Sequence, residues 1–91
     1  MEFLVRTTNN LPADTPEERR RELLQAERAR AAELREAGLL KKLWRVPGTR
    51  SSIGWYEARD ATELHEALSS LAFFPWVDIV VEPLAQHPQE R

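Results

Sequence analysis

The alternation of four short β-prone segments with two helical segments is the feature that most constrains the fold of this chain. The β-prone runs cover residues 2–8, 43–46, 52–58 and 77–81, and Pro83 is expected to end the last of them. A long helical pattern follows the first run, and a shorter helix precedes the last one. The shorter helix starts at Asp60 with a capping box that Glu63 completes. The predicted order is therefore β-α-β-β-α-β in an α+β domain. That order is typical of the ferredoxin-like arrangement, an antiparallel sheet with both helices on one face.

The sequence marks both ends of the first helix. Thr15 can act as its N-cap, Pro16 suits the first helical position, and Glu18 would complete a capping box. The helical pattern persists through Ala37 and stops at Gly38, a residue that favours the C′ position. We therefore predict one uninterrupted helix between these two signals.

Apolar side chains occur on both faces of the predicted strands. In the first strand Phe3 and Val5 alternate with Leu4, and in the third strand Trp55 and Tyr56 are neighbours that point to opposite faces. An antiparallel sheet with one face in water would show a cleaner alternation of apolar and polar residues. We therefore expect another subunit to cover the second face, so that the protein is a homo-oligomer.

Length and composition exclude several classes of protein. Residues 1–91 make a single domain, with residues 84–91 expected to form a polar tail or arm. The chain has no Cys, its two His residues are far apart, and it has no Gly-rich phosphate loop, so we expect no metal site. The net charge of −2 argues against nucleic-acid binding. No run resembles a signal peptide or a membrane span, which makes the cytoplasm the expected location.

Glu27 lies where the first helix should carry an apolar residue. At about 100° per residue, its position falls inside the apolar stripe defined by Leu23 and Leu34. A carboxylate on a buried face is either paired with a cation or has a raised pKa, and a raised pKa suits proton transfer. Arg30 lies in the same stripe and is the candidate partner, which would lower the pKa of Glu27 instead. Periodicity leaves both possibilities open.

Several short segments at a shared spacing resemble the muconolactone Δ-isomerase family. They are Leu11-Pro12 after the first strand, Glu27, Trp44-Arg45, the segment of residues 74–79 and His87-Pro88. The resemblance implies a ferredoxin-like subunit that pairs through its sheets as a dimeric α/β-barrel and assembles further, possibly to a decamer. It also implies a cofactor-free intramolecular oxidoreductase of the catechol branch of the β-ketoadipate pathway. Such an enzyme converts muconolactone to the enol-lactone of 3-oxoadipate, with Glu27 as the proton carrier.

Three positions depart from the pattern of the family that the chain resembles. Leu4 stands where the family has a histidine, Leu40 where it has a tryptophan, and Arg50 where it has a tyrosine. These changes favour an alternative, a diverged isomerase or cyclase-like enzyme acting on another small enolisable acid. A second alternative is a non-catalytic oligomeric ligand-binding module in which Arg30 neutralises Glu27.

Five further residues are candidates for the substrate pocket. Trp44 and Arg45 are neighbours on a strand and face opposite sides, so we expect one in the core and the other on the covered second face or at the pocket. Arg45 can hold a substrate carboxylate bidentately or form an ion pair between subunits. Arg50, on the predicted hairpin loop, is either a carboxylate contact or a solvated side chain. Phe74 and Trp76 can form a wall of the pocket, or belong to the core or the interface.

Overall fold

A computed structural model describes all 91 residues and confirms the predicted order of elements. The helices and strands, in chain order, are β1 (Glu2–Asn9), α1 (Glu17–Glu36), β2 (Leu40–Arg45), β3 (Ser51–Glu57), α2 (Ala61–Ser69) and β4 (Val77–Leu84). Two short 3₁₀ turns, Phe74–Trp76 and Pro88–Glu90, flank β4.

The four strands form one antiparallel sheet in the order β2-β3-β1-β4. The face that carries Phe3 and Val5 is covered by both helices, because these two side chains share a core cluster with Leu34 of α1 and with Leu64 and Leu68 of α2. This arrangement confirms the ferredoxin-like prediction. Since only 13 of 91 residues are buried, the core is small and leaves room for a cavity on the helix side of the sheet.

The predicted capping box at the start of α1 is wrong. The helix begins at Glu17 with Pro16, not Thr15, at the N-cap position, and no side chain caps it. The Thr15 hydroxyl donates instead to the carbonyl oxygen of Pro12 at 2.6 Å, within the preceding turn. Glu17 and Glu18 instead place negative charge beside the positive end of the helix dipole. The predicted end of the helix is confirmed, because Gly38 has φ +80°.

Two strand boundaries also differ from the prediction. β2 begins at Leu40, three residues earlier than expected, and a register irregularity between Leu40 and Lys42 interrupts its pairing with β3. β4 continues through Pro83 to Leu84, although Pro83 was expected to end it. Proline is tolerated there because β4 is an edge strand, so its missing N–H removes no bond from the sheet interior.

The second face of the sheet carries both apolar and charged side chains. Its row of paired residues runs from Trp44 through Ile53 and Arg6 to Val80, and Leu4 and Trp55 form part of the next row. Trp44 is 44% exposed and Val80 is 58% exposed, so the single chain leaves this surface in contact with water. No helix is long and apolar enough to cross a bilayer.

Candidate active site

A cavity of about 780 Å³ lies between the sheet and the helix side of the fold. Its lining includes Val5 and Gly54 from the sheet, Leu24 and Ala31 from α1, and Leu71 from the segment after α2. Of the 23 residues that line it, 13 are hydrophobic, so a polar group inside it is poorly solvated.

Glu27 is the only carboxylate that lines this cavity. Its Oε1 atom accepts a hydrogen bond from the backbone N–H of Phe73 at 3.2 Å, which fixes its orientation toward the segment after α2. Burial raises the pKa of Glu27 above its ordinary value, and the backbone N–H groups of Phe73 and Ala72 lower it only in part. A carboxyl group of raised pKa is a stronger base when ionised, which is the property that proton abstraction from carbon requires.

Arg30 does not neutralise Glu27. Its Nε atom donates to the Ser70 hydroxyl at 2.8 Å, and its Nη1 atom lies 3.4 Å from a carboxylate oxygen of Glu33. No salt bridge of the chain involves Glu27. The long Arg30 side chain instead connects α1 to the end of α2, so the predicted alternative of a Glu27–Arg30 pair is wrong.

Four arginines surround the mouth of the cavity, and none of them has a carboxylate partner: Arg20, Arg28, Arg45 and Arg50. Arg20 donates to backbone carbonyls at the start of α1, and Arg50 donates to the carbonyl oxygen of Asn9 at 3.1 Å. Arg45 makes one long bond, 3.4 Å, to the carbonyl oxygen of Ser51, and Arg28 makes none. Arg45 and Arg28 are therefore the cations with most capacity to bind an anionic ligand.

The aromatic candidates separate into two groups. Phe74 lines the cavity, and its ring makes an edge-to-face contact with His65 at a centroid distance of 6.2 Å. Trp76 is half-buried but does not line the cavity. Trp44 pairs with Ile53 on the second face, while its neighbour Arg45 points to the cavity side. Of the five predicted pocket residues, the structure thus brings Arg45, Arg50 and Phe74 together with Glu27.

Sequence reasoning did not single out Tyr56 as a candidate for the site. Tyr56 is buried on the cavity side of β3, and burial together with the nearby charge of Glu27 raises its pKa to about 12. The alternation along β3 held the signal, because residues 52, 54 and 56 share a face once the register with β1 is known. The chain has no group of His, Cys, Asp and Glu side chains able to hold a metal ion.

Comparison with known proteins identifies the family. The family model described as muconolactone delta-isomerase matches residues 1–90. The chain belongs to the muconolactone Δ-isomerase family. The Cupriavidus pinatubonensis muconolactone Δ-isomerase is 38% identical, with 97% of this chain and 96% of the relative covered. The Acinetobacter lwoffii muconolactone Δ-isomerase 2 is 36% identical, with 96% and 91% covered.

Solved structures of similar proteins agree with this family membership. A crystal structure of muconolactone isomerase superimposes with a TM-score of 0.90 at 32% identity, over 97% of this chain and 92% of that one. A 5-chloro-2-hydroxyhydroquinone dehydrochlorinase from Burkholderia phenoliruptrix shares the fold, with a TM-score of 0.71 at 17% identity and 98% of each chain covered. The predicted family and fold are thereby confirmed, and the relatives' names place this chain among isomerases.

Proposed function

We propose that this muconolactone Δ-isomerase family member is an intramolecular oxidoreductase that moves the ring double bond of muconolactone to give the enol-lactone of 3-oxoadipate. The observation that carries the proposal is Glu27, the single carboxylate on an otherwise largely apolar cavity, with a raised pKa and no cationic partner. Transposing a double bond next to a carbonyl needs one group that takes a proton from carbon and returns it to another carbon. Glu27 can both take the proton from one carbon and return it to another.

The reaction follows from the chemistry of a conjugated lactone. The acidic C–H of such a ring is at the carbon on the far side of the double bond from the carbonyl, because its removal gives a dienolate whose charge reaches the carbonyl oxygen. The Glu27 carboxylate takes this proton, and the resulting carboxylic acid delivers it to the carbon beside the carbonyl. Glu27 returns to its ionised form, so the cycle uses no other reactant. No His, Lys or second acid lines the cavity to share this work.

The arginines supply the binding site for the carboxylate of the substrate. Arg45 lies opposite Ser52 in the sheet register, at the end of the cavity that is closer to the hairpin loop. Its guanidinium has no acidic partner, so an incoming carboxylate displaces no existing ion pair. Arg28 adds positive charge from α1. These cations place a carboxylated lactone with its side chain toward the loop and its ring deeper in the cavity.

One alternative, a related reaction on another small enolisable acid, is supported by two residues on the cavity. Leu40 and Arg50, which depart from the family pattern, both line it. Leu4, the third departure, lies on the second face and cannot contact a ligand in the cavity of its own chain. The choice of substrate therefore depends on the apolar Leu40 and the cationic Arg50. The non-catalytic alternative loses its basis, because it required Arg30 to neutralise Glu27.

We also propose that two copies of the chain pair through the second face of the sheet. Trp44, Val80 and Leu84 are between 44% and 58% exposed there, and large apolar side chains grouped on one surface are typical of an interface. The helix-side cavity remains open in such a dimer, because it is on the opposite side of the sheet. Further assembly, up to the decamer implied by the family resemblance, would use other surfaces.

Turnover of purified protein with muconolactone, followed by ultraviolet absorbance, tests the proposed reaction. We expect turnover by the native chain and a loss of about 10²–10⁴-fold for Glu27→Gln, which keeps the shape and the Phe73 hydrogen-bond acceptor but cannot carry the proton. Glu33→Gln is the matched control, since this exposed acid of the same helix pairs with Arg30 away from the cavity. Absence of turnover by the native chain, alongside turnover of another carboxylated lactone, would select the alternative substrate.

A further inference from the structure

Tyr56 is held in one position by the sheet beneath it. Its ring lies against Gly54, where an added Cβ atom would stand 2.7 Å from Cε1 and 3.4 Å from Cδ1 of the tyrosine. Only glycine at residue 54 leaves room for the ring to lie along the strand. Phe3 on β1 and Leu40 on β2 pair with Tyr56 on either side. The phenol is therefore fixed at the sheet side of the cavity rather than free to rotate.

The Tyr56 hydroxyl is unpaired within the chain but opens on the cavity. None of the chain's side-chain hydrogen bonds involves it, and yet no fully buried polar side-chain atom lacks a partner. The Tyr56 hydroxyl oxygen is therefore not fully buried. Because Tyr56 lines the cavity, the cavity is the open space that this oxygen reaches. A buried tyrosine ring normally satisfies its hydroxyl inside the protein. Here the hydroxyl is left for a ligand.

Glu27 and Tyr56 face the same space without bonding to each other. The charge of Glu27 is close enough to raise the pKa of Tyr56, while the Glu27 carboxylate accepts from backbone N–H groups of the segment after α2 and not from the Tyr56 hydroxyl. The two groups therefore line one cavity without a direct hydrogen bond between them. With a pKa of about 12, the phenol keeps its proton at neutral pH and remains a hydrogen-bond donor.

We propose that Tyr56 is a second catalytic residue, which donates a hydrogen bond to the lactone carbonyl oxygen while Glu27 moves the proton. This inference rests on the proposed function. When Glu27 takes the proton from carbon, negative charge develops on the carbonyl oxygen, and a donor fixed at that oxygen stabilises the dienolate more than the neutral lactone. The phenol keeps its own proton throughout. The proton that Glu27 removed goes back to the carbon beside the carbonyl, and no other bond changes.

The sheet register explains why Tyr56 rather than another hydroxyl takes this role. Ser52 and Thr7 also line the cavity, but they belong to the row of Arg45, where the substrate carboxylate is proposed to bind. Tyr56 is four residues further along β3, about 13 Å at the usual rise of a strand. A lactone that binds Arg45 through its carboxylate would therefore present its carbonyl toward the row of Tyr56.

The test uses Tyr56→Phe, which removes one oxygen atom and keeps the ring over Gly54. We expect kcat for muconolactone to fall by about 10²–10³-fold, as for the loss of one oxyanion donor, with KM and the melting temperature little changed. The acid limb of the pH profile of kcat is set by Glu27. It should stay where it is, because the substitution removes only an uncharged hydroxyl. A wild-type kcat in Tyr56→Phe, or a fall in melting temperature with unchanged turnover by the folded protein, would show that Tyr56 is structural only.

A binding measurement separates this inference from the proposed function. Tetronic acid, whose ionised form is a planar five-membered lactone enolate, resembles the dienolate and requires no turnover. Calorimetry should show that tetronate binds the native chain about 10-fold or more tightly than Tyr56→Phe. Equal affinities would overturn the role of Tyr56 even if muconolactone is turned over. If tetronate binds Tyr56→Phe more weakly but the native chain does not turn over muconolactone, Tyr56 is supported as a hydrogen-bond donor. Only the assignment of muconolactone as the substrate is then refuted.

Discussion

Replacement of Gly54 by alanine should destabilise the fold and the catalytic geometry together. The new Cβ atom would be 2.7 Å from Cε1 of Tyr56 and 3.2 Å from Cδ2 of Leu43. Gly54 is buried and its backbone lies in the middle of β3, paired with both β1 and β2, so the strand cannot move away. The Tyr56 ring must therefore leave its position, and its hydroxyl leaves with it.

The size of the effect follows from two opposing terms. Forcing an extra methyl group into a packed site costs about 1–3 kcal/mol. Alanine in place of glycine in a strand returns about 0.5–1 kcal/mol, because the unfolded chain loses less backbone entropy. The free energy of unfolding should thus fall by up to about 2.5 kcal/mol. A loss of 1 kcal/mol lowers Tm by about 4–8 °C in a domain of this size.

Urea unfolding at one fixed protein concentration measures this change, with kcat recorded on the same samples. Gly48→Ala is the matched control, because Gly48 has φ +76° but no atom within 4 Å of an added Cβ. It should lose about 1–2 kcal/mol from backbone strain and keep its kcat. Gly54→Ala should lose kcat as well as stability. A Gly54→Ala protein as stable and as active as the native chain would refute the reasoning that Gly54 positions Tyr56.

Three further predictions concern charge, assembly and capping. Because burial raises the pKa of Glu27, its favourable contribution to stability is complete below the pKa of the unfolded chain and is lost as pH rises through the folded pKa. Unfolding of Glu27→Gln between pH 4 and pH 8, in steps of about one unit, should lack this dependence, and a curve parallel to the native one would contradict it. Ile53→Glu, which places a charge at the centre of the second face, should shift the oligomer toward monomer in sedimentation velocity, and an unchanged profile would exclude that face as the interface. Asp60→Ala should lower stability by about 1 kcal/mol in urea unfolding, because Asp60 accepts from the Glu63 N–H at 2.9 Å, whereas Thr15→Ala removes no cap and should cost less.

Local sequence signals correctly predicted where α1 ends and where α2 begins, but they did not predict the start of α1. The Asp60 cap and the Gly38 stop depend on backbone groups a few residues away, and both are confirmed. The Thr15 cap failed because the helix begins one residue later than predicted, with Pro16 at the N-cap and Thr15 in the preceding turn, and no pattern of residue types reveals this shift. Pro83 was misread for a different reason: its effect depends on whether β4 is an edge strand, and that is a property of the whole sheet.

The candidate site shows the same division between local and long-range information. Helical periodicity correctly placed Glu27 on the covered face of α1, where the structure finds it lining the cavity. Periodicity could not identify the hydrogen-bond donor to Glu27, because that donor is the N–H of Phe73, 46 residues away in the sequence. Arg30, the partner that periodicity offered, donates to the Ser70 hydroxyl instead. Tyr56 was missed because its role depends on the space above Gly54 and on the distance to α1, both of which arise only when β3 packs under the helices.

The two faces of the sheet divide stability and chemistry between them. A chain with 13 buried residues has little core to spare, and the cavity removes apolar contacts from the helix side. Covering Trp44, Val80 and Leu84 in a dimer would return apolar burial on the opposite side without filling the cavity. Dissociation of such a dimer should lower the free energy of unfolding and leave the positions of Glu27 and Tyr56 in the folded protomer unchanged. We expect kcat per folded protomer of a monomeric variant to equal that of the native protein at low temperature, where the monomer is still folded. Loss of kcat at every temperature would show instead that the site needs the partner subunit.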